Sequence, residues 1–151
     1  MIIIKKSPTA DTGSCNFKEV SAAELKRATV DHSWDVERAM RMFSDMMIKA
    51  GADHDDHKLR TMEEFHKAFI GGFRDDTWWN EHKKERHHLP DGLKLNLVDI
   101  LEHIADCVMA GMTRTGRVSP LTINNEMLQR AFNNTVNLLI SQVKVEENDE
   151  H

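Results

Sequence analysis

From Ser21 to Gln142, apolar residues recur every three or four positions, and this spacing constrains the fold more than any other feature of the sequence. Side chains at that interval share one face of an α-helix, whereas a half-buried strand needs strict alternation. The strand patterns that build βαβ units are missing from the chain. The spacing therefore predicts an all-α fold, a compact bundle of about five to six helices.

Glycine, proline and capping residues divide this periodic stretch into separate helices. The first helix carries an apolar stripe from Val36 to Ala50 and is predicted to stop at Gly51. The other helices are expected at about 53–70, from 76 or 77 to just before Pro90, at about 93–112 and at 124–142.

The two ends of the chain lie outside the helical pattern. Residues 1–6 are rich enough in β-branched side chains for a short strand or a docked tail, and residues 9–16 are predicted to form a loop. An acidic tail is expected to fray from Glu146 onward. The length of 151 residues is typical of one domain, and no linker or repeat interrupts it. We therefore predict a single domain over 1–151, with its core at about 21–142.

Charge and cysteine content narrow the class of protein. A net charge of −5 argues against long nucleic acids as partners and leaves a small anionic substrate open. Cys15 and Cys107 form no CxxC pair, which predicts a reducing compartment and argues against a thiolate zinc site. Because no apolar run reaches the length of a signal-peptide core or a membrane span, we expect a soluble, cytoplasmic protein without a membrane partner.

Nine histidines are many for this length, and seven of them lie between positions 54 and 103. For any single one of them, a solvated surface residue is an equally good interpretation. His32 lies four residues before Val36 and eight before Met40, so it continues the apolar stripe of the first helix. Such a histidine is either a satisfied core residue or a metal ligand, and taken alone it favours the core.

Two carboxylates are predicted to face inward. Asp55 lies next to His54 and continues the apolar face of the second helix. The helix dipole favours acidic residues in the first turn, which explains the neighbouring aspartates but not an aspartate that faces inward. Asp106 follows and precedes apolar residues, and a buried carboxylate that loses its partner costs about 3–5 kcal/mol. Asp106 is therefore either a metal ligand or part of a structural hydrogen-bond network.

A third group of candidates lies between two tryptophans and Pro90 and includes the pair His87-His88. His82 and Arg86 are one turn apart and are predicted to share a helical face, with Trp78 as its apolar wall. The alternative is a basic, solvated helix with two core tryptophans. The sequence of this segment by itself does not distinguish a functional helical face from a solvated helix.

In chain order, these residues resemble the HD-domain superfamily of metal-dependent phosphohydrolases, defined by a His, a His-Asp doublet and a distant Asp. Residues 54–58 look like the HDxxK form of the doublet, and residues 100–106 are similar to the helix that supplies the final Asp. The intermediate His and the His-His pair resemble members with two or more metals, including the HD-GYP branch. The similarity covers about residues 30–112. The chain also resembles small uncharacterised phage and bacterial proteins that have an HD doublet and an RHH segment. Because no Gly-Tyr-Pro is present, cyclic-dinucleotide specificity does not carry over.

The resemblance implies hydrolysis of a small phosphate ester, with a nucleotide as the expected substrate and a metal-activated water as the nucleophile. Imidazole and carboxylate ligands suit Mn, Fe, Zn, Co or Ni, and one or two ions per chain are implied. The implied ligands of the first metal are His32, His54, Asp55 and Asp106. Asp55 would bridge to a second metal that is held by His82 and one or both of His87 and His88. Lys58 and Arg86 are the expected phosphate contacts, and Asp55, Lys58 and Arg86 form the expected catalytic set.

Two other classes of protein compete with this interpretation. A ferritin-like or haemerythrin-like di-iron protein would use the ExxH steps Glu63-His66 and Glu85-His88, with Glu37 and Glu102 as further ligands. Pro90 cuts the helix of the second step short, which argues against the long helices of such bundles. A metal-free helical interaction protein, for example a phage-type regulator, is the third interpretation. Self-association into a homo-oligomer is compatible with all three.

Overall fold

The computed structural model describes residues 1–6 and 20–147 of the chain. Within these ranges it is mostly helical, as predicted, with one short sheet. The elements are β1 (Ile2–Lys5), α1 (Ala22–Asp53), α2 (Asp56–Arg60), α3 (Met62–Ile70), α4 (Thr77–His82), a 3-10 helix (Arg86–His88), α5 (Leu97–Thr115), α6 (Asn125–Gln142) and β2 (Val143–Glu146). Cys15 and the loop predicted at 9–16 lie outside the described residues. Among the helices described, none combines the length and the apolar content needed to cross a membrane.

The chain divides into two units, Met1–Asp45 with Val136–His151, and Met46–Thr135. In the first unit, β1 pairs in parallel with β2, with Ile2 opposite Val143. The short N-terminal strand is thus confirmed. The prediction that the tail frays from Glu146 onward is wrong at Glu146 itself. Glu146 belongs to β2, and its carbonyl accepts a hydrogen bond from the Lys6 amide at 2.8 Å. The single-domain organisation stays a prediction.

The second unit has a small core that is partly polar. Its buried apolar residues are Trp78, Leu95, Val98, Ile100 and Ala131. Three polar side chains are buried with them, and one of these, His82, is fully buried. The buried polar residues are His82, His87 and Asp99.

The break between α1 and α2 lies later than predicted. Gly51 does not stop α1, which continues to Asp53, since one glycine inside a helix costs only about 1 kcal/mol. The chain leaves the helix at Asp55, whose φ of 59° and ψ of 15° are left-handed. Among residues other than glycine, Asp and Asn tolerate this conformation best. A second break, at Thr61, divides the helix predicted at 53–70 into α2 and α3.

The predicted helix before Pro90 is also shorter than expected. It ends at His82, and the chain turns before the 3-10 helix that begins at Arg86. The prediction that His82 and Arg86 share one helical face is therefore wrong. The next helix, α5, begins at Leu97 because Asn96 caps it: the Asn96 side chain accepts from Val98 N, and the Asp99 carboxylate accepts from Asn96 N at 2.6 Å.

Candidate metal centre

Six metal-ligating side chains lie together in the second unit, and we call them the metal cluster. They come from the turn between α1 and α2, from the end of α4, from the 3-10 helix and from the middle of α5. The members of the metal cluster are His54, Asp55, His82, His87, His88 and Asp106.

Four buried atoms of the metal cluster have no hydrogen-bond partner among the described residues: Oδ1 of Asp55 and the Nε2 atoms of His82, His87 and His88. Buried polar atoms in folded proteins are nearly always hydrogen-bonded, so four together need a common explanation. Asp55 Oδ1 lies 3.6 Å from His82 Nε2 and 3.7 Å from His87 Nε2. Ligands about 2.1 Å from a tetrahedral ion lie roughly 3.4 Å apart. Asp55 Oδ1 is therefore spaced from His82 and His87 as the ligands of one cation are, and ligand atoms of His82, His87 and His88 lie within 4.8 Å of one another.

A second group of possible ligand atoms includes His54 and the other oxygen of Asp55. His54 Nε2 is 3.5 Å from Asp106 Oδ1 and 3.8 Å from Asp55 Oδ2. Lys58 Nζ also donates to Asp55 Oδ2, at 2.6 Å. Oδ2 of Asp55 thus lies near His54 and Lys58, whereas Oδ1 lies near His82 and His87. His87 also belongs to one group of possible ligands with His54 and Asp55.

The electrostatics of the cluster favour the protonation states that bind metal. Burial, reinforced by the neighbouring His88, lowers the pKa of both His82 and His87 to about 4. Burial alone would raise the pKa of Asp55. The hydrogen bond and the positive charge of Lys58 together lower it by more than burial raises it, so the pKa of Asp55 lies below its ordinary value. At neutral pH His82 and His87 therefore offer neutral imidazoles and Asp55 an ionised carboxylate, as metal binding requires.

Residues around the cluster fix the orientation of its histidines. Glu102 Oε1 lies 3.0 Å from Nδ1 of His54, so this carboxylate accepts the Nδ1 proton and leaves Nε2 free to bind. Nδ1 of His57 lies 3.3 Å from Nδ1 of His82, where the two rings can share one proton. Both contacts turn an Nε2 atom toward the cluster.

The 3-10 helix is fixed to α5 by polar contacts of its first two residues, Arg86 and His87. His103 Nδ1 donates to the His87 carbonyl at 2.7 Å. Arg86 donates to both oxygens of Asp99, at 2.7 and 2.6 Å, and to the Lys94 carbonyl at 2.9 Å. Because Asp99 also belongs to the capping box of α5, one buried carboxylate places His87 and His88 against that helix. The guanidinium fork is thus engaged within the protein, and a phosphate contact for Arg86 stays a prediction.

An aromatic stack holds α4 in place beneath the cluster. The Trp78 ring stacks on His82 with centroids 5.0 Å apart and on Phe65 of α3 at 4.6 Å. The indole Nε1 donates to Thr61 Oγ1 at 2.8 Å. The predicted apolar wall of Trp78 beside His82 is thus confirmed.

The cluster brings together all the predicted metal ligands of the second unit. The remaining one, His32, belongs to the first unit and is exposed on α1, as are Val36 and Met40 of its predicted apolar stripe. The prediction that this stripe is buried around His32 is therefore wrong. The role of His32 as a metal ligand stays a prediction. Asp106 is half-buried and Met109 is exposed, so the predicted buried surroundings of Asp106 are wrong as well.

Three residues that support the cluster were not predicted in this role: Glu102, His57 and His103. Glu102 lies one helical turn before Asp106, a spacing that places both on one face of α5 and could have indicated its role. The ExxH steps of a di-iron protein fit less well, because Glu63 and His66 are both exposed on α3.

Comparison of the chain with protein-family models, with curated proteins and with solved structures found no match. What the described residues can do chemically follows from the donor atoms themselves. The buried histidines and Asp55 are placed so that they could hold a metal ion. Nitrogen and oxygen donors without a thiolate suit divalent ions of the first transition row.

Proposed function

We propose that the protein is a metal-dependent phosphohydrolase of the HD type that acts on a small phosphate ester. The observation that carries this proposal is the carboxylate of Asp55, which has His82 and His87 near Oδ1 and His54 near Oδ2, so that it could bridge two ions. Two-metal sites of this kind are common in enzymes that cleave phosphate esters. The order of the cluster residues along the chain, which resembles the HD pattern, supports the same function.

The donor set fits Mn, Fe, Zn, Co or Ni, with two ions per chain. Divalent ions bound there would make hydroxide available near neutral pH and offset the negative charge of a phosphate. The chain's own contribution is to hold neutral imidazoles in place, with Glu102 fixing the orientation of His54.

Lys58 is the cation best placed to contact the substrate. Its ammonium group lies beside Asp55 and its side chain is 29% exposed, so it can reach both the cluster and the solvent. Because nucleotides are the substrates that the resemblance implies, they are the first phosphate esters to test.

The decisive variant is Asp55→Asn, because asparagine tolerates the left-handed backbone at this position and leaves the turn unstrained. We expect it to lose metal binding and phosphate release by more than about 100-fold, beyond the 10- to 100-fold that a supporting residue costs. The matched control is Asp56→Asn, since Asp56 is exposed and pairs with Arg60. The control should retain both properties.

The assay measures phosphate release from nucleotides and p-nitrophenyl phosphate with Mn²⁺, Co²⁺, Ni²⁺ and Mg²⁺, and bound metal by elemental analysis. A folded Asp55→Asn protein with wild-type activity would overturn the mechanism. Two bound metals without hydrolysis of any phosphate ester would retain the metal centre but exclude the hydrolase.

A further inference from the structure

An apolar groove of about 690 Å³ lies beside the metal cluster in the second unit, between the last turns of α1 and one face of α5. Met47 and Ala50 form the wall on α1, and Leu101, Ala105 and Met109 form the wall on α5. Leu101 is 50% exposed and Met109 65% exposed, so the groove displays large apolar side chains to the solvent. A volume of this size is typical of pockets for small organic ligands.

The groove is continuous with the metal cluster. His54 and Asp106 belong to the cluster and also line the groove, as does Glu102, which orients His54. A phosphate ester bound at the cluster therefore has the groove directly beside it, and the group attached to the phosphate can lie along α5. From Asp106 to Arg114, at the far end, the rise of the helix is about 12 Å.

The wall between these two ends selects the chemistry of that group. Apart from Thr113 next to Arg114, the side chains that line this stretch of α5 are apolar. A nucleobase lying there would find no hydrogen-bond partner on this apolar wall, so the protein would not recognise its polar edge. An alkyl or aryl group loses nothing by leaving water and gains from the burial of apolar surface.

We propose that the groove binds the alkyl or aryl group of an organic phosphate whose phosphate lies at the metal cluster. This inference rests on the proposed function and names the class of substrate. Gly51 also lines the groove and gives the proposal a precise test, because a Cβ added there would meet no atom within 4 Å. A larger side chain there would project into free space rather than into the protein, and it would replace a glycine that weakens α1.

The first experiment measures binding without turnover. Methyl-, butyl-, hexyl- and octylphosphonate are titrated calorimetrically into the full chain loaded with Mn²⁺. We expect the dissociation constant to fall by roughly two- to fourfold for each added methylene, since burial of one CH₂ corresponds to about fourfold at most. The gain should end when the alkyl chain reaches Arg114. A dissociation constant that is independent of chain length would overturn the proposal.

The second experiment fills the groove. Gly51→Leu should weaken octylphosphonate binding by roughly tenfold or more, the loss of two or more buried methylenes, and leave methylphosphonate unchanged. Ala52→Leu is the control, because Ala52 is the neighbouring exposed residue of α1 and does not line the groove. Both variants are checked for bound Mn²⁺ by elemental analysis. Equal binding of octylphosphonate by Gly51→Leu and wild type would overturn the proposal.

A second copy of the chain is the alternative occupant. Sedimentation of wild type and Gly51→Leu distinguishes the two: a wild-type dimer that the substitution dissociates would make the groove an interface and overturn the proposal. Phosphonates are not hydrolysed, so the binding series reports on the groove separately from catalysis. If the dissociation constant depended on the length of the alkyl chain but no phosphate ester was hydrolysed, the groove would stand as a binding site and the phosphohydrolase would be rejected.

Discussion

The metal cluster and the apolar groove lie side by side, and their burial departs from the ordinary pattern in opposite directions. In the cluster, His82 is fully buried and His87 nearly so, although both are polar. In the groove, Leu101 and Met109 are half or more exposed, although both are apolar. In most proteins the fully buried residues are apolar and histidine is intermediate. Under our two proposals, each region would take a partner of its own chemistry, a cation in the first and a hydrocarbon in the second.

The two regions also differ in how strictly they specify that partner. The cluster uses directional donors whose orientations are fixed by Glu102 and His57. The groove offers apolar surface, which attracts in proportion to area and without direction. We expect the cluster to discriminate sharply between ions and the groove to discriminate mainly by size.

The largest effect should come from metal on thermal stability. With Mn²⁺ at about 100 times its dissociation constant, the folded protein gains about 2.7 kcal/mol. For a chain of this length, that gain corresponds to a rise of about 10 °C in the melting temperature. Scanning calorimetry with and without a chelator measures it, and His82→Leu should lose most of the shift.

His66→Gln is the control for this experiment, because His66 is exposed on α3 and lies outside the cluster. It should keep the full shift. If His82→Leu also kept the full rise in melting temperature, the metal would bind elsewhere. The cluster could then no longer be contrasted with the groove as a cation site.

An intermediate effect should come from Glu102→Gln, at the border of the two regions. The amide cannot accept the Nδ1 proton of His54 as strongly as the carboxylate does, so metal affinity should fall by roughly 10- to 100-fold. Competition with a chelating dye measures the affinity. Glu81→Gln, on the exposed face of α4, should change nothing. An unchanged affinity in Glu102→Gln would show that His54 needs no support.

The smallest effect should come from pH between 7.5 and 6.0 in the metal-free protein. His82 and His87 have a pKa of about 4 when folded, against 6.5 ordinarily, so the unfolded chain binds more protons in this window. The stability that they contribute is present above pH 6.5 and is lost as the pH falls toward 4. Urea denaturation at both pH values should show this loss in wild type and a smaller one in His82→Leu. Identical losses would contradict the burial of His82 as its cause.

Helical spacing was sufficient to predict the helical fold. The six residues of the cluster were named together by the resemblance in chain order, which also named His32 of the first unit. Neither the spacing nor the resemblance predicted how the backbone orients those residues. Asp55 reaches both ligand groups because its backbone is left-handed, and α1 continues past Gly51 to that point. His87 is placed by the pairing of Arg86 with Asp99, thirteen residues further along the chain. Such contacts depend on tertiary structure, which periodicity does not contain.

The parallel pairing of β1 with β2 has a consequence for the order of folding. Paired residues of the two strands, such as Ile2 and Val143, are 141 positions apart in the sequence, so pairing them closes most of the chain into a loop. Doubling the length of a flexible loop adds only about 0.6 kcal/mol to the cost of closing it, but contacts between distant residues form slowly. The helices between the strands can form from local contacts long before the ends meet. We therefore expect the strand amides to gain protection from hydrogen exchange last when the chain refolds.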